Sequence, residues 1–219
     1  MHLTAIGGKK RVDALAAIRA SGHVVVGSQR VRFTMTAARP NQLRLETEGA
    51  GRTLVQGYSG EGEPWEFDTG TWPPRYRALS ASADKTFVAD AEFDDPLVGG
   101  AKRGFKLEYM DMVQEEDRPL LRVRVTREGA TYALLVDPKT YLIAWRVEER
   151  KSASGEEVRI LTYFDDYRAI NGVLIAHRLS VAVNGKPTQQ TVIERIDANP
   201  KFTRETFARP TAGAAAAGR

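Results

Sequence analysis

Apolar and polar side chains alternate along most of this chain, and short clusters of turn residues interrupt the alternation. A period of two is typical of β-strands that bury one face, and short links between strands favour antiparallel neighbours. Asn184-Gly185, between two such segments, is the strongest hairpin signal in the sequence. The pattern predicts strands over residues 23–28, 31–37, 42–47, 52–58, 64–68, 105–113, 120–127, 131–136, 141–150, 158–165, 173–183 and 187–197.

Two parts of the chain depart from this rhythm and are predicted to be helical. Residues 9–20 carry an apolar stripe at helical spacing, and Gly22 follows as a stop signal. Residues 75–82 and 84–93 are rich in alanine and contain few turn formers. We expect both helical parts to pack on the apolar, concave face of the sheet.

The sequence predicts a single domain over residues 1–208, without internal repeats. Its last ordered element is predicted to be a short helical turn at residues 203–208. Residues 209–219 are rich in alanine and glycine, a composition that favours a disordered tail.

One face of the predicted sheet is apolar and needs a cover. Along residues 173–183, for example, Val173, Ile175 and Leu179 fall on one face while Arg178 falls on the other. The pattern leaves two coverings open, which are the protein's own helices alone or helices together with a lipid.

Composition and charge exclude several classes of function. The 219 residues carry a net charge of +4 with basic and acidic residues interspersed, so a nucleic-acid-binding stripe is not predicted. The absence of cysteine excludes disulfides, thiol catalysis and zinc–thiolate sites. No apolar run is long enough to predict a membrane-spanning helix.

Catalysis has little support in the sequence. The three histidines are His2, near the first residue, and His23 and His177, which lie within strand patterns where a histidine is usually structural. Nucleophile-elbow, phosphate-loop and zinc-protease motifs are absent from the sequence. We therefore predict a protein that is not an enzyme and that uses neither a cofactor nor a metal ion.

Two local features suggest a binding site, and each also has a structural interpretation. Arg39-Pro40 leads into a strand with Arg39 extended, and this arginine is either a solvated hairpin corner or a ligand contact. Trp65 and Phe67 alternate after a glycine-rich turn, and they are either sheet core or part of an apolar lining.

The order and spacing of several motifs resemble the LolA/LolB lipoprotein-carrier superfamily, in particular its branch of outer-membrane lipoprotein-sorting proteins. Arg39-Pro40-Asn41 resembles the Arg-Pro-Asn corner of the family. Residues 58–67 resemble its Asp-Gly-x-x-x-Trp hairpin, although Ser59 stands where an aspartate is common. The C-terminal pattern of the branch is resembled at residues 137–142, 163–168, 171–173 and 199–200.

The resemblance implies a mainly β fold of the α+β kind, an unclosed barrel whose curved antiparallel sheet has about 11 strands with helices covering its concave face. It also implies a monomeric periplasmic carrier whose export signal has been removed. Its ligands would be lipoprotein acyl chains or another lipid, received from an inner-membrane donor protein and passed to an outer-membrane acceptor protein. The alternative is an envelope sensor or interaction module that uses the same cavity for regulation.

Arg39 is the one functional residue that the resemblance carries over, as a contact that holds a helical lid closed. A cavity for acyl chains needs an apolar and adaptable lining, for which methionine is well suited. Alternation leaves open which face each strand turns inward. The predicted lining residues are Phe33, Met35, Leu43, Leu45, Trp65, Phe67, Met110 and Met112.

Overall fold

A computed structural model of the chain describes residues 1–70, 75–79, 81–152 and 154–209. Its strands form one sheet of 13 strands, slightly more than the number predicted. The strand order is β6-β5-β4-β3-β2-β1-β13-β12-β11-β10-β9-β8-β7, so the two halves of the chain each form a meander of neighbouring strands. Neighbouring strands pair antiparallel from β2 to β6 and from β7 to β13. The described sheet begins at β6 and ends at β7, and it is therefore open.

The strands confirm most of the predicted pattern. The hairpin at Asn184-Gly185 joins β12 to β13, and both turn residues have the positive φ that such a turn requires. The strand bounds are β1 Ala17–Val26, β2 Gln29–Ala38, β3 Gln42–Gly49, β4 Arg52–Tyr58, β5 Trp65–Asp68, β6 Arg75–Ala78, β7 Lys106–Glu115, β8 Arg118–Arg127, β9 Ala130–Val136, β10 Ile143–Lys151, β11 Glu157–Ile170, β12 Val173–Val183 and β13 Lys186–Ala198.

The helices are few and short. They are α1 His2–Ala5, α2 Lys9–Ala14 and α3 Ala81–Asp90, with 3-10 turns at Gly100–Arg103 and Arg204–Thr206. The second of these turns lies within the helical turn predicted at residues 203–208. None of the helices among the described residues is long and apolar enough to cross a membrane. Residues 210–219, which make up nearly all of the predicted tail, lie outside the described residues.

The predicted helix over residues 9–20 is wrong in its second half, because residues from Ala17 onward form β1. Asn199, far away in the sequence, explains the change. Its side-chain Oδ1 accepts the backbone N–H groups of Ala16 and Ala17 at 2.8 and 3.1 Å, and its own N–H donates to the carbonyl oxygen of Ala17 at 2.8 Å. The backbone groups that would continue the helix are therefore bonded to another part of the chain.

The predicted helix over residues 75–82 is also wrong in its first half. Arg75–Ala78 forms the short strand β6, which pairs with β5 in the register Phe67 opposite Tyr76. The Phe67 and Tyr76 rings stack with centroids 4.7 Å apart. An open strand edge and an aromatic cross-strand pair thus override a helical propensity that is weak by nature. Residue 80 lies outside the described residues, and α3 begins at residue 81.

The described residues fall into two compact units. The first unit comprises Met1–Leu15, Val24–Gln29 and Asp95–Ile193, and the second comprises Ala16–His23, Arg30–Asp94 and Glu194–Arg219. The first unit has two apolar cores. The core on one face of its sheet is centred on Leu120, Leu135 and Trp145, and the other is centred on Phe105, Val125 and Leu134.

The N-terminal helix of the first unit is anchored by a buried histidine. His2 Nδ1 lies 2.7 Å from the carbonyl oxygen of Tyr141, and Nε2 lies 3.1 Å from a carboxylate oxygen of Asp95. Both neighbours are acceptors, so the protonated ring, which donates from both nitrogens, satisfies them. Burial alone would lower the pKa of His2, but the hydrogen bond and negative charge of Asp95 and the bond to Tyr141 outweigh it and raise this pKa above 6.5.

In the second unit, the chain after β13 returns to the sheet and is held there by Trp65. The indole Nε1–H of Trp65 donates to the carbonyl oxygen of Phe207 at 3.1 Å. Phe207 is fully buried against Ala17 and Ala38. Gly57 lies directly opposite Trp65 in the β4–β5 pair, and a Cβ there would stand 2.3 Å from the indole ring. Only glycine leaves room for this ring.

We expect the stabilising effect of His2 to depend on pH. Since the folded pKa lies above the unfolded value, this contribution is complete below the unfolded pKa and is lost as the pH rises through the folded pKa. His2→Gln should therefore lower the melting temperature more at pH 5.5 than at pH 8.5. In an Asp95→Asn background the same substitution should lose most of this pH dependence. Equal losses at both pH values in the native background would contradict the assignment.

Substituting Gly57 with alanine should destabilise the second unit by about 1–3 kcal/mol, because the added methyl group must displace the buried indole. Denaturant unfolding followed by tryptophan fluorescence measures this loss. Gly49→Ala is the matched control, because Gly49 also lies in a strand and its Cβ would meet only the Val31 side chain at 3.4 Å, an ordinary contact. Equal stability of the two variants would show that the indole moves freely.

Candidate functional site

The candidate site lies in the second unit, where α3 rests on one face of β2, β3 and β4. From α3 and the residue after it, Phe87 and Ala91 are buried against this face. The strands contribute the buried residues Ala37, Leu43 and Tyr58. The registers pair Ala37 with Leu43 and Leu43 with Tyr58, so the three form one row across the sheet.

The periphery of this contact is apolar and only half-buried. Its members are Ile18, Met35, Leu45, Leu79, Val88 and Phe93. Met35 and Leu45 are opposite one another in the β2–β3 register, directly beside the buried row. The face under α3 therefore extends beyond what the helix covers, and it presents flexible aliphatic side chains there.

α3 is weakly held by its own sequence. It has ten residues, of which only Phe87 and Val88 carry large apolar side chains. An isolated helix of this length is marginal in water, so its position depends on tertiary contacts.

A polar contact with two hydrogen bonds joins the chain after α3 to Arg39, which directly follows β2. Arg39 Nε donates to Asp94 Oδ2 at 2.8 Å, and Arg39 Nη2 donates to Asp94 Oδ1 at 2.6 Å. Both side chains are only about a fifth exposed, which limits screening by solvent. The fork of two parallel bonds is the strongest geometry that an arginine and a carboxylate adopt.

The ion pair of Arg39 and Asp94 is reinforced by the residues next to each of them in the sequence. The guanidinium carbon of Arg39 lies 5.1 Å from the centre of the Phe93 ring, within cation–π distance. The backbone N–H of Phe93 donates to the carbonyl oxygen of Pro40 at 3.2 Å, and the N–H of Arg39 donates to Ala16 at 3.0 Å. The corner at residues 39 and 40 thus fixes the chain that leaves α3.

The structure distributes the predicted lining residues over three places. Phe33, Met35, Leu43 and Leu45 share the face that α3 contacts, as their registers and alternation require. Trp65 and Phe67 fall on the opposite face of the same half of the sheet, because Trp65 is paired with Gly57 rather than with Tyr58.

The two predicted methionines lie in the first unit, on β7. Met110 is at an irregularity of the β7–β8 pair, and Met112 is 54% exposed. The role of the predicted lining residues in binding stays a prediction, and the structure brings four of the eight together beneath α3.

Sequence reasoning missed Asp94, Phe93 and Phe87 as members of the site. Asp94-Asp95-Pro96 has the composition of a turn, and nothing local reveals that Asp94 meets an arginine 55 positions away. The isolated Phe87 in a helix rich in small and polar residues was the available signal, because a lone aromatic there has to be buried somewhere.

The site shows no arrangement for metal binding. Among the described residues, no group of three or more histidine, cysteine, aspartate or glutamate side chains could hold a metal ion. Asp94, the acid of the site, is engaged by Arg39. The site therefore consists of an apolar surface beneath α3 and an ion pair that holds the chain after this helix.

Comparison with known proteins by sequence finds no matching family model and no matching curated protein. Comparison by structure finds several matches over nearly the whole chain. An outer membrane lipoprotein-sorting protein domain from Vibrio parahaemolyticus is 8% identical, with a TM-score of 0.65 over 94% of this chain and 92% of that chain. A DUF1329 family protein from Desulfovibrio piger is 10% identical, with a TM-score of 0.64 over 94% of both chains.

A LolA superfamily protein from Nitrosomonas europaea is 11% identical, with a TM-score of 0.59 over 95% of this chain and 97% of that chain. At such low identity the likeness concerns the fold and not the activity. It nevertheless confirms the fold that the motifs Arg39-Pro40-Asn41 and residues 58–67 predict. The chain has the unclosed, mainly antiparallel β fold found in LolA superfamily and lipoprotein-sorting proteins.

Proposed function

We propose that this protein is a carrier that binds acyl chains, of lipoproteins or of another lipid, between α3 and the sheet face beneath it. The observation that supports the proposal most is the short helix α3, which covers an apolar face through few side chains and is fastened by the ion pair of Arg39 and Asp94. The fold likeness to a lipoprotein-sorting domain agrees with this class of ligand.

The energies of the contact allow exchange of the helix for a ligand. Burying the Phe87 side chain contributes about 1.5–3 kcal/mol. An acyl chain gains about 0.8 kcal/mol for each methylene that leaves water, so about two to four methylenes match Phe87. A fatty-acyl chain of ordinary length can therefore displace α3 from the half-covered face while leaving the sheet intact.

The ion pair sets the balance between the covered and uncovered face. A hydrogen bond to a charged group contributes about 1.5–3 kcal/mol when it is shielded, and less when it is solvated. The pair lies beyond the last residue of α3, with Arg39 against the Phe93 ring at the periphery of the apolar contact. Arg39 thus acts in the proposal as a latch that favours the closed position and permits opening.

The carrier works, in this proposal, in the bacterial periplasm between an inner-membrane donor protein and an outer-membrane acceptor protein. Release to an acceptor requires α3 to return to the face, because the returning Phe87 side chain competes with the acyl chain for the same surface. The conformation in which α3 covers the face is therefore the form of the carrier without ligand.

Breaking the latch should expose α3 to solvent without unfolding the sheet. We expect Arg39→Leu to raise the hydrogen exchange rate of backbone amides in residues 81–90 by about tenfold, which corresponds to a net loss of about 1.4 kcal/mol when both bonds of the partly solvated fork are removed. Asp94→Leu should have the same effect, and the double variant should add little, because both substitutions remove one interaction. Hydrogen exchange followed by mass spectrometry measures this.

The control for the latch is Arg44→Leu. Arg44 lies on β3 and bonds to Glu46 and to the carbonyl oxygen of Thr206, away from α3. The Arg44→Leu substitution should therefore leave the hydrogen exchange rate of residues 81–90 unchanged. Unchanged protection of α3 in both the Arg39 and the Asp94 variants would show that this ion pair does not hold the helix.

Ligand binding should be saturable and should depend on the face beneath α3. A fluorescent fatty acid should bind with about one site per chain, which is the expectation for a single apolar groove. Met35→Gln should weaken binding several-fold, because an amide placed against an acyl chain loses its hydrogen bonds to water. Titration at constant protein concentration measures both.

Thr34→Gln is the matched control for Met35→Gln, because Thr34 is the neighbouring half-buried residue and points to the opposite face. Native mass spectrometry after lipid extraction from the purified protein identifies any ligand retained from the cell. Absence of saturable binding by the folded protein would contradict the carrier, and equal weakening by both variants would place the ligand elsewhere.

A further inference from the structure

The free edge of the sheet at β7 carries an unusual apolar stripe. Among the described strands β7 is the last in the sheet order, and it pairs with β8. Of the six large hydrophobic side chains that are exposed among the described residues, three lie on this strand. Leu107, Tyr109 and Met112 are 37%, 62% and 54% exposed. A long strand with free backbone groups and exposed apolar side chains is a template for pairing with another strand.

An irregularity in β7 brings these three side chains to the same face. Before it, Leu107 is opposite Val125 and Tyr109 is opposite Val123; after it, Met112 is opposite Leu121. Since the partners on β8 are spaced by two, their β7 partners share their face. The extra residue is Met110, which shifts the alternation by one position in the manner of a β-bulge.

We propose that two copies of this chain dimerise by antiparallel pairing of β7 with β7 about a two-fold axis. In this pairing Tyr109 of one copy lies opposite Met112 of the second copy, and Lys106 lies opposite Glu115. Each pair occurs twice by symmetry. The paired positions differ by an odd number of residues, which on a regular strand would put them on opposite faces of the sheet. The bulge at Met110 lies between the two members of each pair and shifts the alternation by one, so that the paired side chains lie on the same face. The monomer expected from the family resemblance is then the dissociated form.

The charges on the other face of β7 select this register. Sliding the second copy by two residues in one direction places Glu108 opposite Asp111, and sliding it in the other direction places Glu108 opposite Glu115. Each alternative creates two pairs of like charges, which destabilise a strand pair. The proposed register has no such pair and instead sets Lys106 against Glu115.

The ion pairs within the chain leave room for this assignment. Glu115 Oε1 accepts a hydrogen bond from Arg159 Nη2 at 2.7 Å, so Lys106 of a second copy would bind its other oxygen, Oε2. Glu108 and Asp111 are already bonded to Arg124 and Arg122 of β8. Lys106 is an exposed cation with no ion-pair partner among the described residues, and is therefore available to a second copy. The turn that follows β7 contains Glu116 and Asp117, which disfavour an anionic membrane surface as the occupant of this edge.

Disulfide trapping tests the register directly, because the chain contains no cysteine of its own. Tyr109→Cys and Met112→Cys proteins should form mixed disulfide dimers when they are combined under mild oxidation. Each variant alone should form few, because the two copies of position 109 are about 8 Å apart in this register, beyond disulfide reach. Intact mass spectrometry distinguishes mixed from self-paired dimers. A statistical ratio of the species, or no dimer, overturns the proposed register.

Sedimentation equilibrium of the unmodified chain tests the association itself. The average mass should rise with concentration towards twice the monomer mass. Tyr109→Lys should weaken dimerisation about tenfold, because both symmetry-related pairs are lost together. Combining Tyr109→Lys with Met112→Glu should restore it, since each lysine then faces a glutamate.

Val26→Lys is the control, because Val26 is 49% exposed and lies on β1, away from the proposed contact. It should leave the dimer unchanged. A chain that stays monomeric up to its solubility limit overturns the proposal and leaves the edge to a strand of a different protein. A dimer that Tyr109→Lys does not weaken overturns it as well, because association then uses another surface.

Discussion

A helix that is too short to be stable alone needs tertiary contacts, and in this protein the contacts of α3 define the candidate site. α3 has ten residues and buries one aromatic side chain, Phe87, on the row of Ala37, Leu43 and Tyr58. The chain that follows α3 is held by the two parallel hydrogen bonds between Arg39 and Asp94. The contacts of this segment thus include an apolar one and a polar one, and these two can be changed separately.

The two contacts have different physical roles. In the proposed carrier, the apolar contact competes directly with an acyl chain, because both remove hydrophobic surface from water at the same place. The ion pair, in the same proposal, contributes a free-energy difference between the two positions of the helix. A carrier needs this separation, since tight shielding of the ligand and ready release place opposite demands on a single contact.

The sequence predicted the sheet well because its signals are local. Alternation and the turn at Asn184-Gly185 determine strands and hairpins from neighbouring residues alone. The predictions of secondary structure were wrong where residues far away in the sequence determine the local conformation. Asn199 binds the backbone of residues 16 and 17 and ends α2, and the open edge of β5 converts residues 75–78 from a predicted helix into a strand.

The candidate site was predictable in the same uneven way. Arg39 and four of the lining residues follow from motif resemblance and alternation, and they lie on or beside the α3 face. Trp65 could not be assigned to a face from its own sequence, because the deciding fact is the lack of a side chain at Gly57 across the strand pair. Asp94 could not be found because its partner is 55 residues away.

The central claim is that α3 leaves the sheet face when an acyl chain binds, and a distance measurement tests it most directly. Spin labels can be placed through Lys85→Cys on α3 and Glu61→Cys on the turn between β4 and β5, since both residues are exposed and the chain has no other cysteine. We predict a single short distance in the delipidated protein and a longer, broader distribution with saturating fatty acid. An unchanged distance distribution in protein shown to have bound the fatty acid would contradict it.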